Sequence, residues 1–175
     1  LAPDQYNGSD IVLTIDRTIQ FTACGIIKKH MEEYKAKSAT VIIMDVKTGA
    51  LLSLCNTPDL DPNHYQDVGD LRAFNNNAIF TPYEPGSVFK VITMAGALDF
   101  GKVTPDTTYI DNGILRYGKY SITNAAHKKY GLQTMTGVLK ESINTGAVFA
   151  ANKIGQDAFK KYVENFGFGA LTGIE

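Results

Sequence analysis

The chain has 175 residues, 44% of them hydrophobic, and a formal net charge of −1. That length supports one domain with a real core. The near-neutral balance without a basic block argues against nucleic acid as a partner, and no apolar run approaches the ~18 residues of a membrane span.

Residues 1–10 are polar, contain Pro3 and Gly8, and read as a leader. The chain begins at Leu1, which reads as a processed piece. Ile11 to Ile15 is a short apolar run, and Asp16 is placed to cap a helix running to about Lys35. Ile19, Ala23, Ile26 and Ile27 form its predicted buried stripe. Ala39 to Val46 is rich in β-branched residues and reads as a strand, with Ala50 to Leu54 as its partner. Lys47-Thr48-Gly49 is then the turn between them. Thr57 to Pro82 carries Pro, Asn and Asp without periodicity and reads as a long loop.

Pro85-Gly86 marks a further turn, followed by Val91, Ile92, Met94, Ala95 and Leu98 as a buried-helix pattern that Gly101 stops. Tyr109 to Asn124 predicts one or two short hairpins, with turns at Asp111-Asn112-Gly113 and Tyr117-Gly118-Lys119. Thr134 to Ser142 and Thr145 to Ile154 read as helices joined at Ser142-Ile143-Asn144. A third helix spans Gln156 to Phe166 and ends at Gly167.

The chemistry concentrates at the start of the Ser87 helix. Ser87-Val88-Phe89-Lys90 places a hydroxyl and an amine three residues apart, on one helical face. A serine hydroxyl needs a neighbouring base to become a nucleophile. A lysine is a base near neutral pH only when its surroundings lower its pKa. Lys90 lies between Phe89 and Val91-Ile92, a setting that suits such a shift. The free N–H groups of a first helical turn can also stabilise a developing oxyanion. Taken alone, the two serines and Asn144 also fit ordinary helix caps and turns.

With Ser142-Ile143-Asn144 downstream, the chain resembles the penicillin-binding transpeptidases, specifically the class B penicillin-binding proteins. Their motif set runs Ser-x-x-Lys, Ser-x-Asn, Lys-Thr-Gly. Other segments follow the family's order: Leu13 to Asp16 with Ile19-Gln20, Asp45 to Ala50, Asp61-Pro62-Asn63, Asn77-Ala78, and Phe166 to Gly169 with Thr172-Gly173-Ile174. The resemblance implies an α/β (α+β) fold, a helical subdomain with an antiparallel sheet. It makes residues 1–175 the N-terminal portion of a single transpeptidase domain. It assigns Ser87 as nucleophile and Lys90 as base. Ser142 bridges the lysine and the leaving nitrogen, and Asn144 binds the substrate backbone. Ile143 occupies the variable middle position.

The implied activity is D,D-transpeptidation of peptidoglycan stem peptides, with covalent inhibition by β-lactams and no cofactor. The implied setting is the extracytoplasmic face of the membrane, with the parent protein anchored there in a cell-wall synthesis complex. A serine β-lactamase or D,D-carboxypeptidase of the same fold is the rival enzyme reading, and a non-catalytic β-lactam sensor the rival outside catalysis.

The family's Lys-Thr-Gly follows Ser-x-Asn, whereas Lys47-Thr48-Gly49 precedes Ser87 and reads as a turn only. Without the third motif this portion is expected to be a poor transpeptidase. Truncation, proteolysis or a split chain each accounts for its absence. The sheet edge is expected to recruit the remaining segment or a second copy. Glu84, Tyr83 and His127 carry no assigned role. His30, His64 and His127 lack ligand spacing, so no metal is expected. Cys24 and Cys55 read as small buried apolar residues, although an oxidising compartment would permit a bridge.

Overall fold

The computed structural model describes residues 8–69 and 71–173, and the chain divides at Tyr83/Glu84 into two compact units. In the first unit, helix α1 spans Arg17–Glu33. Its start is fixed by the Asp16 carboxylate, which accepts from the backbone N–H groups of Thr18 and Ile19, each at 2.9 Å. Strands β1 (Ala39–Met44) and β2 (Leu51–Thr57) pair antiparallel. Asp45 closes the turn between them by accepting from Lys47 N at 2.7 Å and Thr48 N at 3.2 Å. Gly49 takes the positive φ of 76° that ends it. Lys47-Thr48-Gly49 is thus hairpin-turn chemistry, as its flanking apolar runs predict.

α1 is bound to β2 through side chains as well as packing. The Gln20 amide exchanges two hydrogen bonds with the backbone of Leu54, at 2.8 and 3.1 Å. Asp16 N–H donates to Leu52 O at 3.0 Å, and the Thr14 hydroxyl donates to Leu51 O at 2.6 Å. Leu54 therefore turns its polar backbone away from β1. Its cross-strand partner Ile42 must do the same on the opposite side, because the two form a non-hydrogen-bonded pair. Along β1, the half-buried Val41 and Ile43 alternate with exposed Ile42 and Met44.

Three expectations for this unit are corrected. Cys24 and Cys55 are joined in a disulfide across a Cα–Cα distance of 5.5 Å, so they are not free apolar residues. Their positions on α1 and β2 bring them together. In the predicted α1 stripe only Ala23 is buried, while Ile19 and Ile27 are half-buried and Ile26 is exposed. The segment read as a loop after Thr57 holds short helical turns at Pro62–Asp67 and Leu71–Phe74, and the single turn α2 at Asn77–Phe80. The Asp61 and Asn76 side chains cap the first and last of these.

The second unit opens with a 3₁₀ turn at Gly86–Phe89 that runs into α3 (Lys90–Asp99). Strand β3 (Thr108–Asp111) pairs antiparallel with β6 (Gly131–Thr134), and β4 (Ile114–Tyr117) forms a hairpin with β5 (Tyr120–Thr123). The β6 pairing has no clear sequence signal, because Gly131–Thr134 shows neither alternation nor a β-branched run. Helices α4 (Met135–Lys140), α5 (Asn144–Ile154) and α6 (Gln156–Asn165) follow.

The core of this unit gathers Met94, Ala97, Val103, Met135, Val138, Ile143, Ala150 and Ile154. The buried face of α3 is Thr93, Met94, Gly96 and Ala97, and Val91 and Leu98 are exposed. The predicted stripe is rotated because small residues permit close helix approach. A Cβ on Gly96 would already lie 3.0 Å from the Tyr162 ring of α6.

The disulfide closes a loop of sequence separation 31. Loop-closure entropy then predicts that reduction costs about 3–4 kcal/mol of stability. Urea unfolding with and without dithiothreitol measures this, and an unchanged midpoint would contradict it.

Candidate active site

The end of α4 places Ser142. Ser142 N–H donates to Leu139 O at 3.2 Å and Ile143 N–H to Val138 O at 2.9 Å, the two bonds of a Schellman motif. The motif requires left-handed backbone at the residue after the cap. Here that residue is Ser142, at φ 53°, where glycine is usual. Ile143 follows fully buried among the core residues, so the variable middle position is the anchor of the link. Ser142 and Asn144 are thereby held on either side of a packed side chain.

Lys90 reaches this link from α3. Its Nζ donates to Ser142 O at 2.6 Å, to Ser142 Oγ at 3.1 Å and to Asn144 Oδ1 at 2.6 Å. The ammonium has three protons, and all three are engaged. Burial pushes the Lys90 amine below its ordinary value of 10.5. Asn144 is fixed at both ends of its amide, because Nδ2 donates to Thr123 O at 2.7 Å. The second Nδ2 proton remains for another acceptor.

Ser87 is exposed in the 3₁₀ turn, three residues before Lys90. Gly86 supplies the left-handed backbone, φ 61°, that starts the turn. Among the described residues the Ser87 hydroxyl has no hydrogen-bond partner, so the expected direct bond to Lys90 is not formed. The reason is competition: three oxygens of the Ser142-Asn144 link take the lysine protons. Phe89 packs edge-on against Phe168, with centroids 5.2 Å apart, which ties the Phe166 to Gly169 segment to the Ser87 turn.

Behind Asn144 lies a buried polar cluster that motif spacing does not disclose. Asp111 Oδ1 accepts from the Thr145 hydroxyl at 2.6 Å and Gly113 N–H at 2.9 Å. Its Oδ2 accepts from Asn124 Nδ2 and from Tyr130 N–H, both at 2.8 Å. Burial alone raises the Asp111 carboxyl, but these hydrogen bonds, Thr145's foremost, outweigh it and hold the group below the usual carboxylate range. In the sequence Asp111-Asn112-Gly113 signals a turn. Nothing there shows that the same carboxylate reaches Thr145.

Mixed helices with small antiparallel sheets, carrying a Ser-x-x-Lys turn and a Ser-x-Asn link, define the penicillin-binding and β-lactamase-like class. The penicillin-binding protein transpeptidase domain model matches residues 39–175, and the chain belongs to that family. It is 31% identical over 173 residues to penicillin-binding protein PbpB of Mycolicibacterium smegmatis, covering 98% of this chain and 26% of that protein. It is 31% identical over 163 residues to the probable peptidoglycan D,D-transpeptidase PenA of Neisseria gonorrhoeae, covering 93% and 27%. It superposes on the TP domain of Burkholderia pseudomallei penicillin-binding protein 3 with a TM-score of 0.78 at 28% identity, covering 97% of this chain and 46% of that one. The chain thus spans about a quarter of the length of the curated relatives it matches.

Ser142→Gly and Ser142→Ala both remove the hydroxyl, but only glycine relaxes the left-handed backbone. The glycine variant is expected to be the more stable by about 1 kcal/mol, and chemical denaturation of the pair reads the difference. Asp111 contributes stability that is complete above its unfolded pKa of about 3.9 and lost as pH falls through its depressed folded value. Asp111→Asn should flatten that acid limb in a pH series of melting midpoints.

Proposed function

We propose that this chain carries the nucleophile-bearing part of a peptidoglycan D,D-transpeptidase. The single observation behind the reading is the seating of Lys90. It is a partly buried lysine, lowered in pKa, three residues after Ser87 and hydrogen-bonded to both polar members of Ser142-Ile143-Asn144.

When Lys90 is neutral it has two N–H groups and one lone pair. Ser142 O and Asn144 Oδ1, its two 2.6 Å partners, take the two protons. The lone pair is then left for a hydroxyl proton. It receives the Ser87 proton directly or through Ser142 Oγ as the serine oxygen attacks the carbonyl of the D-Ala-D-Ala bond. The C–O bond forms and the C–N bond breaks. The proton passes to the departing amine, D-alanine leaves, and the acyl group stays on Ser87. An amine of a second stem peptide then takes the acyl group and restores the serine. A β-lactam enters the same first step, but its leaving nitrogen remains tethered, so the acyl-enzyme persists.

The remaining proton of Asn144 Nδ2 is the donor for the substrate backbone, and the N–H groups of the Ser87 turn face the developing oxyanion. In this reading residues 1–175 belong to a single transpeptidase domain. The parent protein is membrane-anchored, works outside the cytoplasm within a cell-wall synthesis complex, and needs no cofactor.

The test is mass spectrometry of the full-length protein after incubation with benzylpenicillin. A penicilloyl adduct on the Ser87 peptide is expected, and none with Ser87→Ala. That exposed substitution should change stability by no more than about 0.5 kcal/mol. Because burial lowers the lysine, acylation should rise with pH along a limb below 10.5 and lose that limb in Lys90→Met. An intact wild-type fold that forms no adduct would make the chain a non-catalytic module.

A further inference from the structure

Asn144 can serve Lys90 only if its amide is held in place and in one orientation. Its Nδ2 rests on the carbonyl of Thr123, and its backbone starts α5. The next residue on each side is buried and polar. Asn124 is 3% exposed and Thr145 2%. Thr145 N–H, an orphan donor of the α5 first turn, donates to Asn124 Oδ1 at 3.2 Å. Both side chains converge on Asp111, itself 3% exposed, which takes Thr145 on one carboxylate oxygen and Asn124 on the other.

The two remaining acceptor positions of Asp111 are filled by Gly113 N–H and Tyr130 N–H, so the carboxylate cannot swing. The negative charge also lies at the N-terminal turn of α5, where the helix dipole favours it. Packing closes the arrangement. A Cβ on Gly146 would stand 2.8 Å from the Tyr109 hydroxyl, and Tyr109 in turn lies 3.3 Å from Thr145 Oγ1. The same Cβ would run still closer to the Val138 side chain, so glycine is what lets the start of α5 seat against both α4 and the Tyr109 ring.

We propose that Asp111, acting through Thr145 and Asn124, is the positioning residue of the site. It sets the spacing between Thr123 O and Asn144, and thereby fixes the amide that orients Lys90. None of these three side chains touches Ser87 or Lys90, so the effect is transmitted and not direct. The inference rests on the transpeptidase reading above.

Two variants of the full-length protein test it. Thr145→Val keeps the shape and removes the hydroxyl, and Asp111→Asn keeps the shape and replaces one acceptor with a donor. Each is assayed with a chromogenic cephalosporin at saturation, well below its own melting midpoint. The acylation rate constant is expected to fall by about 10²-fold, the loss associated with a displacement of about 1 Å in the catalytic geometry. Thr145→Ser, which retains the hydroxyl, should recover most of the rate. If one variant does not fold, the other decides. Folded variants that melt lower but acylate at the wild-type rate would show a purely structural cluster and overturn the proposal. A wild-type protein that forms no adduct at Ser87 would instead overturn the transpeptidase reading, so the two failures are distinguishable.

Discussion

Burying a carboxylate is expensive unless its oxygens are met by hydrogen-bond donors. In the second unit, Asp111 satisfies this requirement by drawing donors from four separate stretches of chain. β3 supplies the carboxylate, and the turn after it supplies Gly113. Asn124 comes from the end of β5, Tyr130 from just before β6, and Thr145 from the first turn of α5. The strands here are only four residues each and occur in separate pairs, so backbone ladders alone hold little together. The cluster supplies what the ladders lack, and no buried side-chain polar atom among the described residues is left without a partner.

Much of this was legible in the sequence, because the signals were local. Asp16 announces a helix start, Gly49 and Gly101 announce stops and turns, and the Ser87 to Lys90 spacing places two functional groups on one face whichever helical form the turn adopts. The three helices after Thr134 fall close to their predicted bounds, although only α4 has a side-chain N-cap, from Thr134. The residues that join separate elements were not legible. Cys24 and Cys55 meet only because α1 lies on β2. Asp111 looks like a turn residue until the chain returns with Thr145. The short strand β6 exists because β3 presents an edge to it, not because its own residues favour extension. The buried face of α3 was misplaced for a related reason: close helix packing selected Gly96 and Ala97 over the larger residues beside them.

Ser142 shows stability and chemistry competing at one backbone position. A Schellman turn is what lets α4 stop and α5 start with Ile143 buried between them. Glycine would make that turn without strain, but it has no hydroxyl to present to Lys90. The fold accepts a serine in left-handed conformation, at a cost of order 1 kcal/mol, and the surrounding core holds it there. Strain at this residue is therefore informative, because the packing around it would tolerate the relaxed alternative.

In the first unit the Gln20 amide stands in for a neighbouring strand. It takes both backbone groups of Leu54, and with Asp16 and Thr14 it occupies the outer side of β2. On that side the sheet is terminated by a side chain. On the other side Ile42 points its N–H and C=O outward from β1, and no strand among the described residues meets them. The two-stranded sheet is therefore a directional template. A strand added to it, from this polypeptide or another, would pair along the outer edge of β1, where Ile42 presents its backbone groups.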